Sequence, residues 1–473
     1  MIFQNNPSKI SKIKIPDVLK KVNDIFVSAG FKAYLVGGAV RDALLGKENH
    51  DWDIATDASP EQVMKIFKKV IPTGIAHGTV TVHIFNLQLE TTTFRTDSYY
   101  SDGRHPDKIS FASTIEEDLS RRDFTMNAIA ADLGTGVLTD PFNGRQDICD
   151  KKIRTVGNPF ERFDEDGLRP VRAVRFASQL GFDIEEKTFA ALSDSAVLKK
   201  TSLISVERFR DEFCKILKTE KPSAGLKLLE KTGILDLFIP EFKVCRGCSQ
   251  QDYRGFHEFD VADHLFYACD GAPKENLRVR LSAFFHDIGK PEAKTVEILQ
   301  GNEIVHFHGH EQISSLKAEK IMTNLKFSNE EIKKTVHLVK QHMFYYESSW
   351  KDSAVRRFII KVGMENIEDL FLLRFADVAG MHNVKPVPLS PVWNSIDEFR
   401  KRIEKVREEK SALSLKDLCV NGKDLMNEGI PAGKQLGLIL NELFEAVTED
   451  PSLNEKDRLL KIALNIYRTK CTI

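Results

Sequence analysis

A chain of 473 residues with 42% hydrophobic residues is too long for one core and too rich in apolar side chains to stay unfolded, so two to four domains are expected. A formal net charge of −1 excludes a globally basic nucleic-acid binder, and any nucleic-acid partner must meet a local basic surface. Seven cysteines without a pairing framework, a polar N-terminus without a signal-peptide core and the lack of any apolar run near the ~18 residues of a membrane span point to a reducing cytoplasm and no membrane partner.

Residues 15 to 29 carry a helical apolar rhythm, and "KAYLVGGAV" breaks from a strand through a glycine turn into a short helix. Asp51 and Asp53 follow. On a strand, residues i and i+2 share a face, so with Trp52 turned away the two carboxylates can converge on Mg²⁺, which takes one or two protein carboxylates plus substrate phosphates. A solvated acidic turn is the alternative for an isolated Asp-x-Asp. The alternating, β-branched "GTVTVHIFNLQLETTTFR" reads as a hairpin through about Phe94. Glu90 becomes a third catalytic carboxylate if its strand lies beside that of Asp53. Gly37 and Gly38 would let backbone N–H groups approach a triphosphate with Arg41 pairing its charge, unless they form a plain strand-to-helix turn. In "DLSRRDFTMNAIA", Arg121 and Arg122 before Asp123 suit a phosphate or ribose contact, or a surface salt bridge.

Up to about residue 155 the chain therefore reads as a mixed α/β unit, and beyond Gly157 as predominantly helical, an α+β protein overall. "EDGLRPVRAVRF" spaces Asp166, Arg169, Arg172 and Arg175 three apart. On one helix that row rotates about 60° per step, making Asp166 and Arg169 neighbours and carrying Arg175 well around. A carboxylate accepts and a guanidinium donates; cytosine and adenine both offer an amine beside an unprotonated ring nitrogen, so such a pair fits C and A and leaves groups unpaired against G or U. An intrahelical ion pair is the alternative. The CxxC at Cys245 and Cys248 has no second half to complete a zinc site and reads as ordinary thiols.

The ordered stretches "LVGGAVRDALLG", "DWDIAT", "ETTTFR", "DGRHPD", "DLSRRDFTMNAIA", "DPFNGRQDI", "RFDEDGLRPVRAVRFA" and "SVERFRDEFCKIL" closely resemble the class II tRNA nucleotidyltransferases, the bacterial CCA-adding enzymes and their poly(A) polymerase relatives. The resemblance implies a nucleotidyltransferase head over 1–155, a helical neck for base selection and RNA binding over 156–250, an HD domain over 251–385 and a C-terminal helical body over 386–473. It further implies Mg²⁺ at Asp51 and Asp53, Glu90 completing the acidic set, and nucleotide contacts from Gly38, Arg41 and Arg122. Asp166 and Arg169 would select CTP and then ATP for the tRNA 3′ end, with Arg172 and Arg175 assisting. A-only transfer and polyadenylation stay open; the intact loop in "TDSYYSDGRHPDKISF" argues against CC-only addition.

Nine of thirteen histidines lie between His257 and His382. His264, His286 with Asp287, and Asp377 have the order of an HD phosphohydrolase site, where imidazoles and carboxylates from separate helices could hold a divalent transition metal that activates water; a vestigial fold is the alternative. His310 and His342 are either added ligands or helix-face residues. An HD phosphohydrolase with an RNA-binding head is the rival reading of the whole chain. Lys423 and Lys434 in the last helical stretch are candidates for tRNA backbone contact, against a solvated surface.

Overall fold

The computed structural model describes residues 6–49, 51–98, 108–252, 255, 257–388, 390–408 and 412–470. It divides into two compact units, Met1–Lys243 and Val244–Ile473.

The first unit opens with α1 (Asp17–Ser28), β1 (Ala33–Val36), α2 (Gly38–Leu44), β2 (Asp53–Thr56), α3 (Pro60–Ile66), β3 (Val70–Gly74), β4 (Thr79–Ile84) and β5 (Leu87–Thr93). β6 (Arg95–Ser98) and β7 (Lys108–Phe111) pair as a separate ribbon; after α4 (Ile115–Ser120), β8 (Ala130–Asp132) and β9 (Leu138–Thr139) complete the sheet β3-β4-β5-β2-β1-β8-β9. The alternating run folds as the expected hairpin of β4 and β5, turning at Phe85 and Asn86 with φ of 51° and 62°. β2 runs antiparallel to β1 and parallel to β5, so one row across three strands reads Val36, Asp53, Glu90. Val36, Ala55, Phe94, Ile115, Leu119, Ala128, Ala130 and Val156 form a buried core, in which Val36 and Ala55 share the sheet face of Asp53.

The sequence then turns helical through α5 (Gly144–Cys149), β10 (Lys152–Ile153), α6 (Pro159–Glu165), α7 (Arg169–Leu180), β11 (Asp183–Ile184), α8 (Glu186–Leu192), α9 (Ser195–Thr201), α10 (Val206–Leu217), α11 (Pro222–Lys231) and α12 (Ile234–Phe238). α10 buries Phe209, Phe213, Ile216 and Leu217, a 3.6-residue stripe.

In the second unit, α13 (Val261–Gly271), α14 (Leu277–Phe285) and α15 (Lys290–Ala293) precede a hairpin, β12 (Thr295–Leu299) with β13 (Asn302–His306). The hairpin departs from the helical reading of this stretch. Gln300 and Gly301, with φ of 52° and 82°, make its two-residue turn. Then come α16 (His310–Asn324), α17 (Asn329–Gln341), α18 (Asp352–Val362), α19 (Met364–His382), α20 (Pro391–Glu408), α21 (Gly422–Asn427), α22 (Lys434–Glu449) and α23 (Lys456–Lys470). The last three close around Leu425, Ile439, Leu443, Val447 and Leu459. α19 packs against α13 at Gly380, where a Cβ would stand 2.7 Å from the His264 carbonyl and 2.9 Å from its Nδ1, so only glycine lets the helices meet there. Among the described residues no helix is long and apolar enough to cross a membrane.

Candidate active site and a buried histidine–aspartate cluster

A cavity of about 330 Å³ in the first unit is lined by Val36, Asp53, Glu90, Thr79, Thr92, Arg121, Arg122, Asp123, Asp166, Arg169 and Arg172, among others. Strand register puts Asp53 beside Glu90. Burial, and then the Glu90 charge, push the Asp53 carboxyl up to about 6; Arg122 opposes the rise and Asp51 adds to it. Two neighbouring carboxylates of which one is made costly to ionise by the other's charge are a donor set suited to a hard divalent cation, so the residues fit Mg²⁺.

Asp51 departs from the expected strand geometry. β2 begins at Asp53, and Asp51, exposed before it, gives its backbone N–H to the Asn49 side chain at 2.7 Å. Local capping by Asn49 outcompetes strand pairing. Gly37, at φ 71° and ψ −135°, turns the chain from β1 into α2; a Cβ there would stand 3.1 Å from Arg122 Nη1 and 3.6 Å from Asp53 Oδ2. Gly38 is the first residue of α2. Arg41 is not among the lining residues: it is buried, paired with Asp42 and donating to Asn127 Oδ1 at 2.8 Å.

The paired arginines are no surface salt bridge. Asp118 on α4, almost wholly buried, holds Arg121 at 2.8 Å and Arg122 at 3.3 Å, while Asp123 instead takes Arg172, 49 residues on, at 2.7 Å and accepts from Asn127 at 3.1 Å. Burial would raise Asp123, but Arg172 and Asn127 bring its carboxyl down to about 2.

Asp166 and Arg169 are both at the cavity but do not pair side chain to side chain. Asp166 sits in the extended break between α6 and α7 (φ −143°, ψ 111°), so the single-helix row does not hold for it. Its oxygens take the two Nη atoms of Arg208 at 3.1 and 2.8 Å and the Leu168 N–H at 2.9 Å. Arg169 contacts Glu165 and donates to the carbonyls of Arg162 and Arg121 at 2.9 and 3.0 Å. Arg175 turns from the cavity, bonding Glu212 at 2.6 Å and stacking on Phe176. The sequence reading missed Arg208 and Asp118 as anchors. Asp118 was findable, since it precedes Arg121 and Arg122 at the helical spacings of three and four. Of the loop expected to bear on ATP use, 96–111, residues 99–107 lie outside the described residues.

In the second unit His264 on α13, His286 capping α14, Asp287 and Asp377 on α19 converge, all buried. His264 Nε2 lies 3.0 Å from His286 Nε2, 3.1 Å from Asp287 Oδ2 and 3.4 Å from Asp377 Oδ1; His286 Nε2 lies 3.3 and 3.5 Å from the same oxygens. Burial alone would lower His286, yet Asp287 and Asp377 hold it up to about 10. A second buried group joins Asp287 with His310 and His342. Cys245 and Cys248 are free, and burial raises both thiols, Cys245 to about 12. Lys423 and Lys434 are exposed.

The model of the poly(A) polymerase head domain matches residues 33–154, that of an RNA- and SrmB-binding site of polymerase A matches 181–245, and that of tRNA nucleotidyltransferase domain 2 matches 304–463. The CCA-adding enzyme of Lactobacillus johnsonii is 34% identical over 469 residues, 98% of this chain and 99% of that protein. The chain belongs to the CCA-adding enzyme family. The Enterococcus faecalis member is 51% identical over 209 residues, 44% of this chain and half of that protein. Over 96% of this chain and 98% of the other, the fold follows the Bacillus stearothermophilus CCA-adding enzyme crystallised with CTP, at a TM-score of 0.71 and 29% identity. Family membership makes the chain a tRNA nucleotidyltransferase.

Proposed function

We propose that the chain adds C, C and A to the 3′ end of tRNA from CTP and ATP, in the cytoplasm, with Asp53 and Glu90 holding Mg²⁺ and Asp51 lending charge. The observation that carries this is one cavity holding both the adjacent carboxylates and the Asp166, Arg169 and Arg172 side chains. Bound there, Mg²⁺ supplies charge neutralisation at the phosphates and a lowered pKa for the attacking 3′-hydroxyl. The chain's own residues do the rest. Gly37 leaves room for a phosphate between Asp53 and Arg122, where a side chain would intrude. Arg121 and Arg122, steadied by Asp118, present positive charge to the triphosphate.

Base choice falls to Asp166 and Arg169. A carboxylate has about four acceptor positions, and Arg208 and Leu168 use three of those on Asp166, leaving one for the amine of cytosine or adenine. The Arg169 Nε–H is left to donate to the unprotonated ring nitrogen beside that amine. Guanine and uracil present a carbonyl and a ring N–H to the same groups and leave both unsatisfied, at a cost of about 1–3 kcal/mol each. Incubating the purified chain with tRNA ending before CCA, and with CTP and ATP separately and together, tests the reading. Two C residues from CTP and a terminal A on adding ATP are expected, and failure to use CTP would assign the chain to A-only transfer or polyadenylation.

The second unit supports its own reading, a divalent transition metal at His264, His286, Asp287 and Asp377 that serves phosphoester hydrolysis. Four ligands about 2.0–2.1 Å from a tetrahedral centre stand about 3.3 Å apart, close to the separations of 3.0 to 3.5 Å among these atoms.

A further inference from the structure

We propose that the tRNA acceptor end is seated on the β5 side of the carboxylates, with its 3′-terminal ribose on the paired hydroxyls of Thr79 and Thr92 and its last phosphodiester on the Arg95 guanidinium. The inference rests on the nucleotidyl-transfer reading above and divides that cavity between its two substrates. In the sheet order β4-β5-β2-β1, Asp53 on β2 stands between Glu90 on β5 and the turn at Gly37 that follows β1. The space for the nucleotide's phosphates lies on the β1 side, between Asp53 and Arg122, where a Gly37 Cβ would intrude. Transfer forms a bond from the acceptor's 3′-oxygen to the α-phosphorus while the bond from that phosphorus to pyrophosphate breaks, and the hydroxyl proton passes to water. The attacking and leaving oxygens stand roughly in line. With pyrophosphate leaving toward β1, the hydroxyl must arrive from the side of β5 and β4.

That side of the cavity carries the groups a ribose needs. Thr92 follows Glu90 by two residues on β5, so it shares the face of the carboxylate, roughly 6.6 Å further along the strand. Cross-strand pairing sets Thr79 opposite Thr92, with their hydroxyl oxygens 3.0 Å apart. One hydroxyl donates to the other, so the pair keeps one O–H to give and lone pairs to accept, a match for a ribose hydroxyl that both donates and accepts. Both threonines line the cavity that holds Asp53 and Glu90, and both are half-buried. A valine at either position would suit the strand equally well; what the hydroxyls add is polar surface turned to the cavity.

Arg95 opens β6 three residues beyond Thr92 and lines the same cavity. Its backbone N–H points to Asp118 Oδ1 at 3.4 Å, and its Nη1 donates to the carbonyl of His77, in the turn that leads into β4 at Thr79. These anchors tie the arginine to the same two strands that carry the threonines. They orient a planar fork of donors whose geometry matches the oxygens of a phosphodiester. In a terminal nucleotide the phosphodiester lies one sugar back from the 3′-hydroxyl, and Arg95 follows the threonines along the chain leading away from Glu90. Glu90, Thr92 and Arg95 therefore come in the order in which hydroxyl, ribose and phosphate occur on the acceptor.

The test measures incorporation kinetics of the full chain on tRNA lacking CCA, with tRNA and CTP varied in turn. Arg95→Ala should raise the KM for tRNA about ten- to a hundredfold and leave that for CTP within about twofold, with Arg95→Lys recovering part of the loss. Thr79→Val with Thr92→Val, nearly unchanged in shape, should raise the KM for tRNA about tenfold. A tRNA whose last phosphodiester is an uncharged methylphosphonate should lose about as much with the wild-type chain as Arg95→Ala does with natural tRNA, and nothing more in the variant, a coupling that a merely structural arginine would not produce. The dissociation constant for CTP without tRNA should stay the same throughout, which also establishes that the variants are folded. Equal methylphosphonate penalties in wild type and Arg95→Ala, a raised KM for CTP in place of tRNA, or no change in either KM would overturn the acceptor assignment and leave the transfer reading standing. A wild-type chain that adds neither nucleotide to tRNA would overturn the transfer reading, and this assignment with it.

Discussion

The two units solve one problem, keeping several carboxylates close together, in opposite ways. The first offsets charge with guanidinium groups, Asp118 with Arg121 and Arg122, Asp123 with Arg172, Asp166 with Arg208, and leaves Asp53 and Glu90 beside an open cavity. The second has almost no arginine at its centre; imidazoles surround Asp287 in a fully buried cluster. Oxygen donors alone favour a hard ion that keeps its waters and arrives with substrate phosphates, whereas mixed imidazole and carboxylate donors favour a resident transition metal. On the proposed reading, the difference separates a metal that would be delivered with the nucleotide from one that would be built into the fold.

Asp53→Ala breaks the comparison hardest. Loss of metal stabilisation worth several kcal/mol should cut nucleotide incorporation about a thousandfold in a primer-extension assay, with metal content of the second unit unchanged. Arg172→Ala should come next, read as stability: it strands the buried Asp123, a loss of about 3–5 kcal/mol in denaturant unfolding. Gly37→Ala should lower incorporation about tenfold or more, because a residue at φ 71° with its Cβ 3.1 Å from Arg122 must displace that guanidinium. The pH profile sharpens the contrast. The metal-free Asp53 carboxyl is raised to about 6, so at limiting Mg²⁺ a proton competes with the cation as pH falls through 6 and transfer should drop, while the apo fold gains because a buried charge is neutralised. A flat profile between pH 5 and 7 would contradict that assignment. His310→Gln should have the smallest effect on transfer, within twofold, since His310 lies in the other unit.

How legible each site was follows from the kind of contact that builds it. Period-2 alternation marked β4 and β5, and with them the place of Glu90, because strand faces repeat every second residue. That Glu90 would stand opposite Asp53 was a condition, since pairing between distant strands leaves no local trace. The Asp166 row misled for a related reason: a spacing of three makes Asp166 and Arg169 helical neighbours only if the helix is continuous, and the chain breaks at Asp166 before α7 begins. The Asp123 to Arg172 pair, 49 residues apart, was invisible to spacing. In the second unit the order of His264, His286, Asp287 and Asp377 pointed to one cluster, but His310 and His342 could not be told from helix-face histidines until α16 and α17 placed them. The β12–β13 hairpin had its own signal, "TVEILQGNEIV", alternation about a Gln-Gly turn, overlooked amid helices.

The row Val36, Asp53, Glu90 makes the head intolerant of one kind of change in its gene. Adding or removing a single codon within β5 ahead of Glu90 would shift the pairing by one residue and turn its carboxylate to the opposite face of the sheet, even with every amino acid of the site still encoded. The turn at Phe85 and Asn86 is the place where length can vary, because the strands on either side keep their own register. A library of insertions scanned along residues 79–93 should therefore survive at the turn and fail along the strand.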